Sequence, residues 1–159
     1  MKISEFSIST LLTFLIVGII PVSSNADDLI EILEQQGDYE VFIDILEETG
    51  LSEDLMEGNP VTVFAPDDEA FDQLPGSILQ DWQDDPEPVR AIIEFHIIGK
   101  TVDTTELEQR NSMPSLHGSE VYIHATEDDI AINEATLMNS NIEFSNGILH
   151  TIDTVLLPR

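Results

Sequence analysis

The sequence predicts an α+β fold, with one β core and helices packed on one side of it. Apolar residues recur at helical spacing through most of the first half of the chain, and from Met113 onward they alternate with polar residues. The pair Asn146-Gly147, between two alternating segments, is a strong hairpin signal. The length of 159 residues suits one domain. We therefore expect helices first and strands last in a single domain.

The first 26 residues have the features of a secretory signal peptide. Lys2 precedes an apolar run at residues 11–20, and the small residues of Ser24-Asn25-Ala26 suit a peptidase that cleaves after Ala26. The apolar run is too short to span a membrane comfortably. We expect residues 1–26 to direct export and residues 27–159 to form a single secreted domain, extracellular or periplasmic, with no membrane insertion once the leader is removed.

The chain is strongly acidic, with a formal net charge of −27 from 32 acidic and 5 basic residues. Such a charge repels nucleic acid and anionic lipid, so neither is expected as a partner. The acidic surface either recruits cations or a basic partner, or keeps the protein dissolved in a salty medium, where the screening length at about 1 M salt is only about 3 Å. We favour the second interpretation. Because there is no cysteine, the fold is held by packing and not by disulfides.

Glycines and an acidic cap delimit the helices expected before residue 60. Apolar residues at helical spacing predict a first helix that includes residues 29–33 and stops at Gly37. Asp38 is expected to cap the second helix, and Gly50 stands where a left-handed C-cap belongs. A short helical turn at residues 51–56 follows.

Residues 61–74 predict a strand, a turn and the start of a helix. The strand formers at residues 61–64 are followed by Pro66, which lacks the N–H needed to continue a β ladder. Asp67 can then cap a helix, because its carboxylate can accept from the N–H groups of the first turn. Asp68 and Glu69 lie where the helix dipole favours negative charge.

Two helices, a strand and a short helix are expected next. Residues 77–82 predict a helical piece, and the Pro-containing turn at residues 84–88 starts another helix. One face of that helix carries Val89, Ile92, Ile93 and His96. Residues 97–100 predict a strand, and Thr104 or Thr105 is expected to cap a short helix that follows.

A period of two governs the rest of the chain. The alternating apolar positions are Val121, Ile123, Ala125, Ile130, Ile132, Ile142 and Phe144. After the Asn146-Gly147 turn the return strand carries Ile148, His150 and Ile152 on one face. Residues 155–157 predict a buried end to the domain.

Three segments, in order, resemble signatures of the fasciclin domain family: residues 62–71, which include Phe64-Ala65-Pro66-Asp67; residues 95–100, which begin with Phe95-His96; and residues 145–158, which include Asn146-Gly147 and His150. The resemblance covers residues 28–158. It implies a wedge of two β-sheets with helices along one flank. It also implies adhesion or matrix and polymer binding, in some members binding of an apolar pigment, and no enzymatic activity. Phe95 stands where the family usually has tyrosine, which removes a hydroxyl group. By resemblance, Phe95 and His96 are the candidate contact residues.

The histidines divide into two pairs. His96 and His150 fall on apolar faces, so we expect both to be at least partly buried, neutral and hydrogen-bonded, joining the helical half of the chain to the last strand. With Asp67, Asn146 and Gly147 they form the expected structural motif. His117 and His124 are expected in turns or on the solvent face, without ligand-like spacing for a metal. The acidic clusters lack the spacing of an EF-hand loop, which leaves only weak surface binding of divalent cations open.

No catalytic motif is recognised in the sequence. There is no cysteine nucleophile, no Gly-x-Ser-x-Gly elbow and no glycine-rich phosphate loop, and residues 117–120 predict only a turn. We therefore expect no catalytic residue, metal or cofactor. The favoured function is an exported adhesion or matrix-binding module whose partner is a cell-surface or secreted protein or polysaccharide. Binding of a small apolar ligand and an unrecognised enzyme with paired carboxylates are the alternatives, and the oligomeric state is left open.

Overall fold

The computed structural model describes residues 27–56 and 59–159, so the predicted signal peptide lies outside the described residues. The helices are α1 (Asp27–Gln36), α2 (Glu40–Glu48), α3 (Leu51–Met56), α4 (Asp68–Asp72), α5 (Gly76–Asp84), α6 (Glu87–Phe95) and α7 (Thr104–Glu108). The strands are β1 (Val61–Pro66), β2 (Ile97–Ile98), β3 (Ser112–Pro114), β4 (Glu120–Ala125), β5 (Ile130–Ile132), β6 (Ala135–Thr136), β7 (Ile142–Phe144) and β8 (Gly147–Ile152). Among the residues in these two ranges, no helix is both long and apolar enough to cross a membrane.

The strands form two sheets of four. Sheet 1 has the order β2-β1-β8-β7 and sheet 2 the order β3-β4-β5-β6. Sheet 2 is antiparallel throughout, whereas in sheet 1 the strands β1 and β8 are parallel, in register from Val61 beside Gly147 to Pro66 beside Ile152. The predicted α+β class with two sheets is confirmed, and the parallel pair brings the first and third signature segments side by side.

Apolar side chains form two buried clusters that meet at sheet 1. The first cluster packs α1, α2, α3 and α6 against sheet 1 and includes Leu33, Phe42, Leu46, Val63, Ile93 and Leu149. The second joins sheet 1 to sheet 2 and includes Phe64, Phe95, Ile98, Val121, Ile132 and Ile152. Because Val63 faces one cluster and Phe64 the other, β1 is buried on both faces along its whole length. This explains why its sequence is a continuous apolar run and not an alternating one.

The prediction that Asp38 caps α2 was wrong. Tyr39 is the N-cap residue and provides no side-chain hydrogen bond. Instead the carboxylate of Asp68 accepts from the backbone N–H groups of Glu40 at 3.3 Å and Val41 at 2.9 Å. The N–H of Asp68 in turn donates to the carbonyl oxygen of Asp38 at 2.9 Å. A residue at the start of α4 therefore caps α2, because the fold places the two helix N-termini together.

The prediction that Thr104 or Thr105 caps α7 was also wrong. Asp103 has an extended backbone, and its carboxylate accepts from the N–H of Glu106 at 2.8 Å. Thr104 and Thr105 therefore lie inside the first turn, where they are not the cap. A carboxylate is as good an acceptor for these N–H groups as a hydroxyl. Asp103 directly precedes the two threonines in the sequence, so the helix begins one residue earlier than predicted.

The Asn146-Gly147 pair lies at a hairpin, but it does not form the two-residue loop. Phe144 pairs with Gly147, so the loop is Ser145-Asn146 and Gly147 already belongs to β8. Among the described residues, positive φ values belong to Gly37, Gly50, Gly118, Asn133 and Asn141. Gly147 is needed for a different reason, since a Cβ there would lie 2.0 Å from the carbonyl oxygen of Val61. The glycine allows β1 to approach β8.

Candidate functional site

An open cleft of about 550 Å³ lies on the surface of the described residues, and we call it the Phe95 cleft. It lies where the end of α6, strand β4, the turn between β5 and β6, and the C-terminal segment meet. Its lining residues are Phe95, Ser119, Glu120, Tyr122, Asn133, Glu134, Leu157 and Arg159. The lining combines three large apolar or aromatic side chains with a polar rim that contains two glutamates and one arginine.

Tyr122 forms an exposed aromatic wall of the cleft. Along β4 buried and exposed residues alternate, and this places Tyr122 on the outer face with 63% of its surface exposed. Asn133, with φ of 54°, holds the backbone of Tyr122 on both sides. Its Oδ1 accepts from the Tyr122 N–H at 2.8 Å, and its own N–H donates to the Tyr122 carbonyl at 2.7 Å. Asparagine is one of the few residues that adopt positive φ readily, so Asn133 suits the backbone conformation of this turn.

Phe95 forms the base of the cleft. It is the last residue of α6, is 3% exposed, and belongs to the apolar cluster between the sheets. The ring of His117 meets it edge to face, with centroids 6.0 Å apart and planes at 81°. The Nδ1 atom of His117 lies 3.1 Å from the Ser119 hydroxyl, on the exposed side of the turn.

The C-terminal segment forms another part of the cleft wall. Val155 and Leu156 are buried as predicted, but Leu157 is 40% exposed, so the expectation of a buried end through residue 157 was wrong. The backbone N–H of Leu156 donates to His96 Nε2 at 2.9 Å. This bond holds Leu156 against the core, and the next side chain therefore points outward. Arg159 forms an exposed ion pair with Glu134 at the end of the wall.

Phe95 and His96, adjacent in sequence, do not share a surface. Phe95 lines the cleft, whereas His96 is fully buried beneath it. His96 Nδ1 lies 2.7 Å from the carbonyl oxygen of Ile92, so this nitrogen carries the proton and donates, while Nε2 accepts from Leu156. Desolvation by burial lowers the pKa of His96 to about 4, which keeps the ring neutral. In this structure, then, His96 positions the cleft wall and is not itself accessible to a ligand.

His150 makes a similar pair of bonds with the ring nitrogens reversed. Its Nε2 donates to the carbonyl oxygen of Val102 at 2.8 Å, and its Nδ1 accepts from the N–H of Asn141 at 3.3 Å. The ring stacks on Phe64, with centroids 5.5 Å apart. Desolvation lowers the pKa of His150 as well. Both buried histidines therefore link backbone segments that are distant in sequence.

Asp67 and Asn146, two other residues of the expected structural motif, form hydrogen bonds to partners at very different separations along the sequence. Asp67 accepts from the N–H of Ala70 at 2.8 Å, three residues ahead of it. Asn146 Nδ2 donates to the carbonyl oxygens of Leu55 at 2.8 Å and Asn59 at 3.0 Å, about ninety residues away in the chain. The sequence contained a signal for the first contact, a helix cap, and none for the second.

Each basic side chain in the described part of the chain forms an ion pair. The pairs are Arg90 with Asp54 and Glu94, Lys100 with Glu106, Arg110 with Glu106, and Arg159 with Glu134. The remaining charged surface is acidic. Among residues 27–56 and 59–159, no group of three or more His, Asp or Glu side chains is arranged to hold a metal ion.

Comparison with known proteins agrees on one family. The Fasciclin domain model matches residues 37–158. The cell surface glycolipoprotein MPB83 of Mycobacterium bovis is 29% identical over 105 residues, which cover 66% of this chain and 47% of that protein. The transforming growth factor-beta-induced protein ig-h3 of Sus scrofa is 27% identical over 139 residues, covering 86% of this chain and 20% of that protein. The chain thus spans about half the length, or less, of these two relatives.

Two further similarities cover most of the chain. The uncharacterized protein sll1735 of Synechocystis is 31% identical over 131 residues, which cover 82% of this chain and 97% of that protein. The solved structure of a FAS1 domain pair from the insect cell adhesion molecule fasciclin I superimposes with a TM-score of 0.63 at 22% identity. The match covers 77% of this chain and 46% of that one. At this identity the structural match shows a shared fold.

Proposed function

This chain belongs to the fasciclin domain family, and from that premise we propose that it is an exported adhesion domain that binds a cell-surface or secreted protein or polymer through the Phe95 cleft. Its family and its α+β fold are those that the three signature segments indicated. The names of its relatives support the proposal: one is a cell surface glycolipoprotein, and the insect structure comes from a cell adhesion molecule.

The observation that carries the proposal is the exposure of apolar side chains at the Phe95 cleft. The exposed large hydrophobic side chains of the described residues are Leu116, Tyr122, Met138 and Leu157. Two of the four, Tyr122 and Leu157, line the same cleft as the buried Phe95 ring. Aromatic side chains in a concave surface with a polar rim are typical of the centre of protein interfaces. Binding would remove this apolar surface from water.

We further propose that the cleft binds without catalysing a reaction. Both ring nitrogens of His96 and of His150 are occupied by backbone groups, so neither ring has a free nitrogen for proton transfer. The contact between His117 and Ser119 lies on an exposed turn, where water competes for the serine hydroxyl. Glu134 is engaged by Arg159. These arrangements suit positioning and solubility better than general acid–base chemistry.

Affinity capture tests the proposal. The protein is immobilised and exposed to envelope fractions and secreted polymer of the producing cells, with Tyr122→Ser as the cleft variant and Met138→Ser as the matched control. Met138 is 53% exposed and does not line the cleft, so the control removes a comparable exposed apolar side chain elsewhere. We expect wild type and Met138→Ser to retain the same partner and Tyr122→Ser to lose most of it. Equal retention by all three, or by an unrelated acidic protein, would contradict the proposal.

A second candidate is binding of a small apolar ligand. The cleft volume of about 550 Å³ is comparable with known ligand pockets, which hold roughly 300–1,000 Å³. Solvent extraction of the protein purified from its native source, followed by absorption spectroscopy and mass spectrometry, distinguishes this candidate. A co-purifying pigment or lipid would favour it, and a colourless extract without ligand would remove it.

A further inference from the structure

The polar rim of the Phe95 cleft contains one carboxylate that forms no ion pair with a basic side chain of the described residues. Glu134 forms an ion pair with Arg159, and the three other basic residues of the described chain are engaged elsewhere. Glu120 accepts a hydrogen bond from the Ser112 hydroxyl at 3.3 Å, and in the described ranges it forms no ion pair. The rim therefore offers a negative charge directly beside the exposed aromatic ring, since Glu120 and Tyr122 are two residues apart on the outer face of β4.

An exposed aromatic ring next to a carboxylate is suited to a cation. The face of a tyrosine ring attracts lysine and arginine side chains, and a neighbouring carboxylate adds charge attraction. Between the buried Phe95 and the half-exposed Leu157 there is room for an apolar side chain. The two halves of the cleft thus favour different groups, a cation on the Tyr122 side and an aliphatic or aromatic group on the Phe95 side.

We propose that the partner of the cleft is a basic segment of a protein, in which an arginine or lysine lies on Tyr122 beside Glu120 and an apolar side chain packs between Phe95 and Leu157. This inference rests on the proposed adhesion function and specifies its partner. An anionic polysaccharide would be repelled by a chain of net charge −27, and a neutral one could donate hydrogen bonds to Glu120 but would gain no attraction between charges.

Peptide titration tests the partner chemistry. A short synthetic peptide that alternates arginine with leucine and tryptophan is titrated into the full protein by calorimetry at about 0.1 M salt. Peptides of the same length with glutamate or glutamine in place of arginine are the ligand controls. The protein variants are Tyr122→Ser, Glu120→Gln and Glu143→Gln. The last removes the same charge at an exposed position of β7 outside the cleft.

We expect the arginine peptide to bind, and its dissociation constant to rise about two- to fivefold in Tyr122→Ser and in Glu120→Gln. The Glu143→Gln variant should bind as wild type does. Equal weakening by Glu120→Gln and Glu143→Gln would show attraction to the acidic surface as a whole and would overturn the inference. Equal binding of the glutamate or glutamine peptide, or no binding of the arginine peptide, would also overturn it.

The outcomes for the two proposals are separable. If Tyr122→Ser abolishes native capture and the captured partner is a polysaccharide or an acidic protein, the adhesion function stands and the basic-segment inference fails. If native capture retains nothing while the arginine peptide binds with the expected dependence on Tyr122 and Glu120, the adhesion function fails and the preference of the cleft for a basic segment is supported.

Discussion

Replacing His96 by alanine tests whether this histidine holds the C-terminal segment against the core. The side chain is fully buried and joins the carbonyl oxygen of Ile92 to the N–H of Leu156. Removing the ring leaves the Leu156 N–H without its acceptor in a buried position, and also opens a cavity beside Phe42, whose ring centroid lies 6.4 Å from that of His96.

The expected loss of stability is large. A buried donor left without a partner costs about 1–3 kcal/mol, and the cavity left by a buried ring adds about 2 kcal/mol. We therefore expect His96→Ala to lower the free energy of unfolding by about 3–5 kcal/mol. For a domain of this size that corresponds to a fall in melting temperature of about 10–20 °C.

Urea unfolding followed by circular dichroism measures this effect, with two comparison variants. His124→Ala removes an exposed histidine from β4 and should change the free energy of unfolding by less than about 0.5 kcal/mol. His96→Gln keeps one donor and one acceptor and should lose less stability than His96→Ala. If His96→Ala unfolds at the same urea concentration as His124→Ala, the hydrogen bonds of His96 do not stabilise the fold and the reasoning is wrong.

Three further predictions follow from buried or crowded positions. Burial lowers the pKa of His96 from 6.5 to about 4. As the pH falls, the unfolded state therefore binds the proton before the native state does. The free energy of unfolding should fall by about 3 kcal/mol between pH 6.5 and pH 4. The difference in unfolding free energy between wild type and His96→Gln, measured at each pH, isolates this term, and parallel profiles would contradict it. Gly147→Ala should destabilise by about 3 kcal/mol or more in urea unfolding, because its Cβ would clash with the Val61 backbone. The matched Gly76→Ala has free space and should be near neutral. Asp68→Ala should cost about 1 kcal/mol in the same assay, because α2 loses its cap.

Local features of the fold could be predicted because their interactions span only a few residues. The Asp67 cap on Ala70 involves a separation of three residues. The left-handed glycines at Gly37 and Gly50, with φ of 84° and 69°, follow helices whose apolar period is visible in the sequence. Alternation along β4 likewise indicated which of its side chains are buried. In each case the backbone conformation of one segment determines the contact.

The candidate site could be predicted only in part. Phe95 was singled out by resemblance and does line the cleft, but its neighbour His96 points into the core. Tyr122 and Leu157 were not recognised as site residues, although the alternation of β4 indicated that Tyr122 is exposed. No local signal distinguishes an exposed aromatic side chain at an interface from one that is exposed by chance.

The amino-acid sequence by itself determined the class of the fold, the order of most helices and strands, and the acidic character of the surface. These properties depend on periodicity, backbone preferences and composition, which are readable within short segments. Only the tertiary structure decided that β1 pairs in parallel with β8, that Asp68 caps α2 from 27 residues away, and that Asn146 binds the carbonyl of Leu55 across 91 residues. The reason is physical: such contacts depend on which distant surfaces meet when the chain packs, and the residues at either end carry no local mark of their partner.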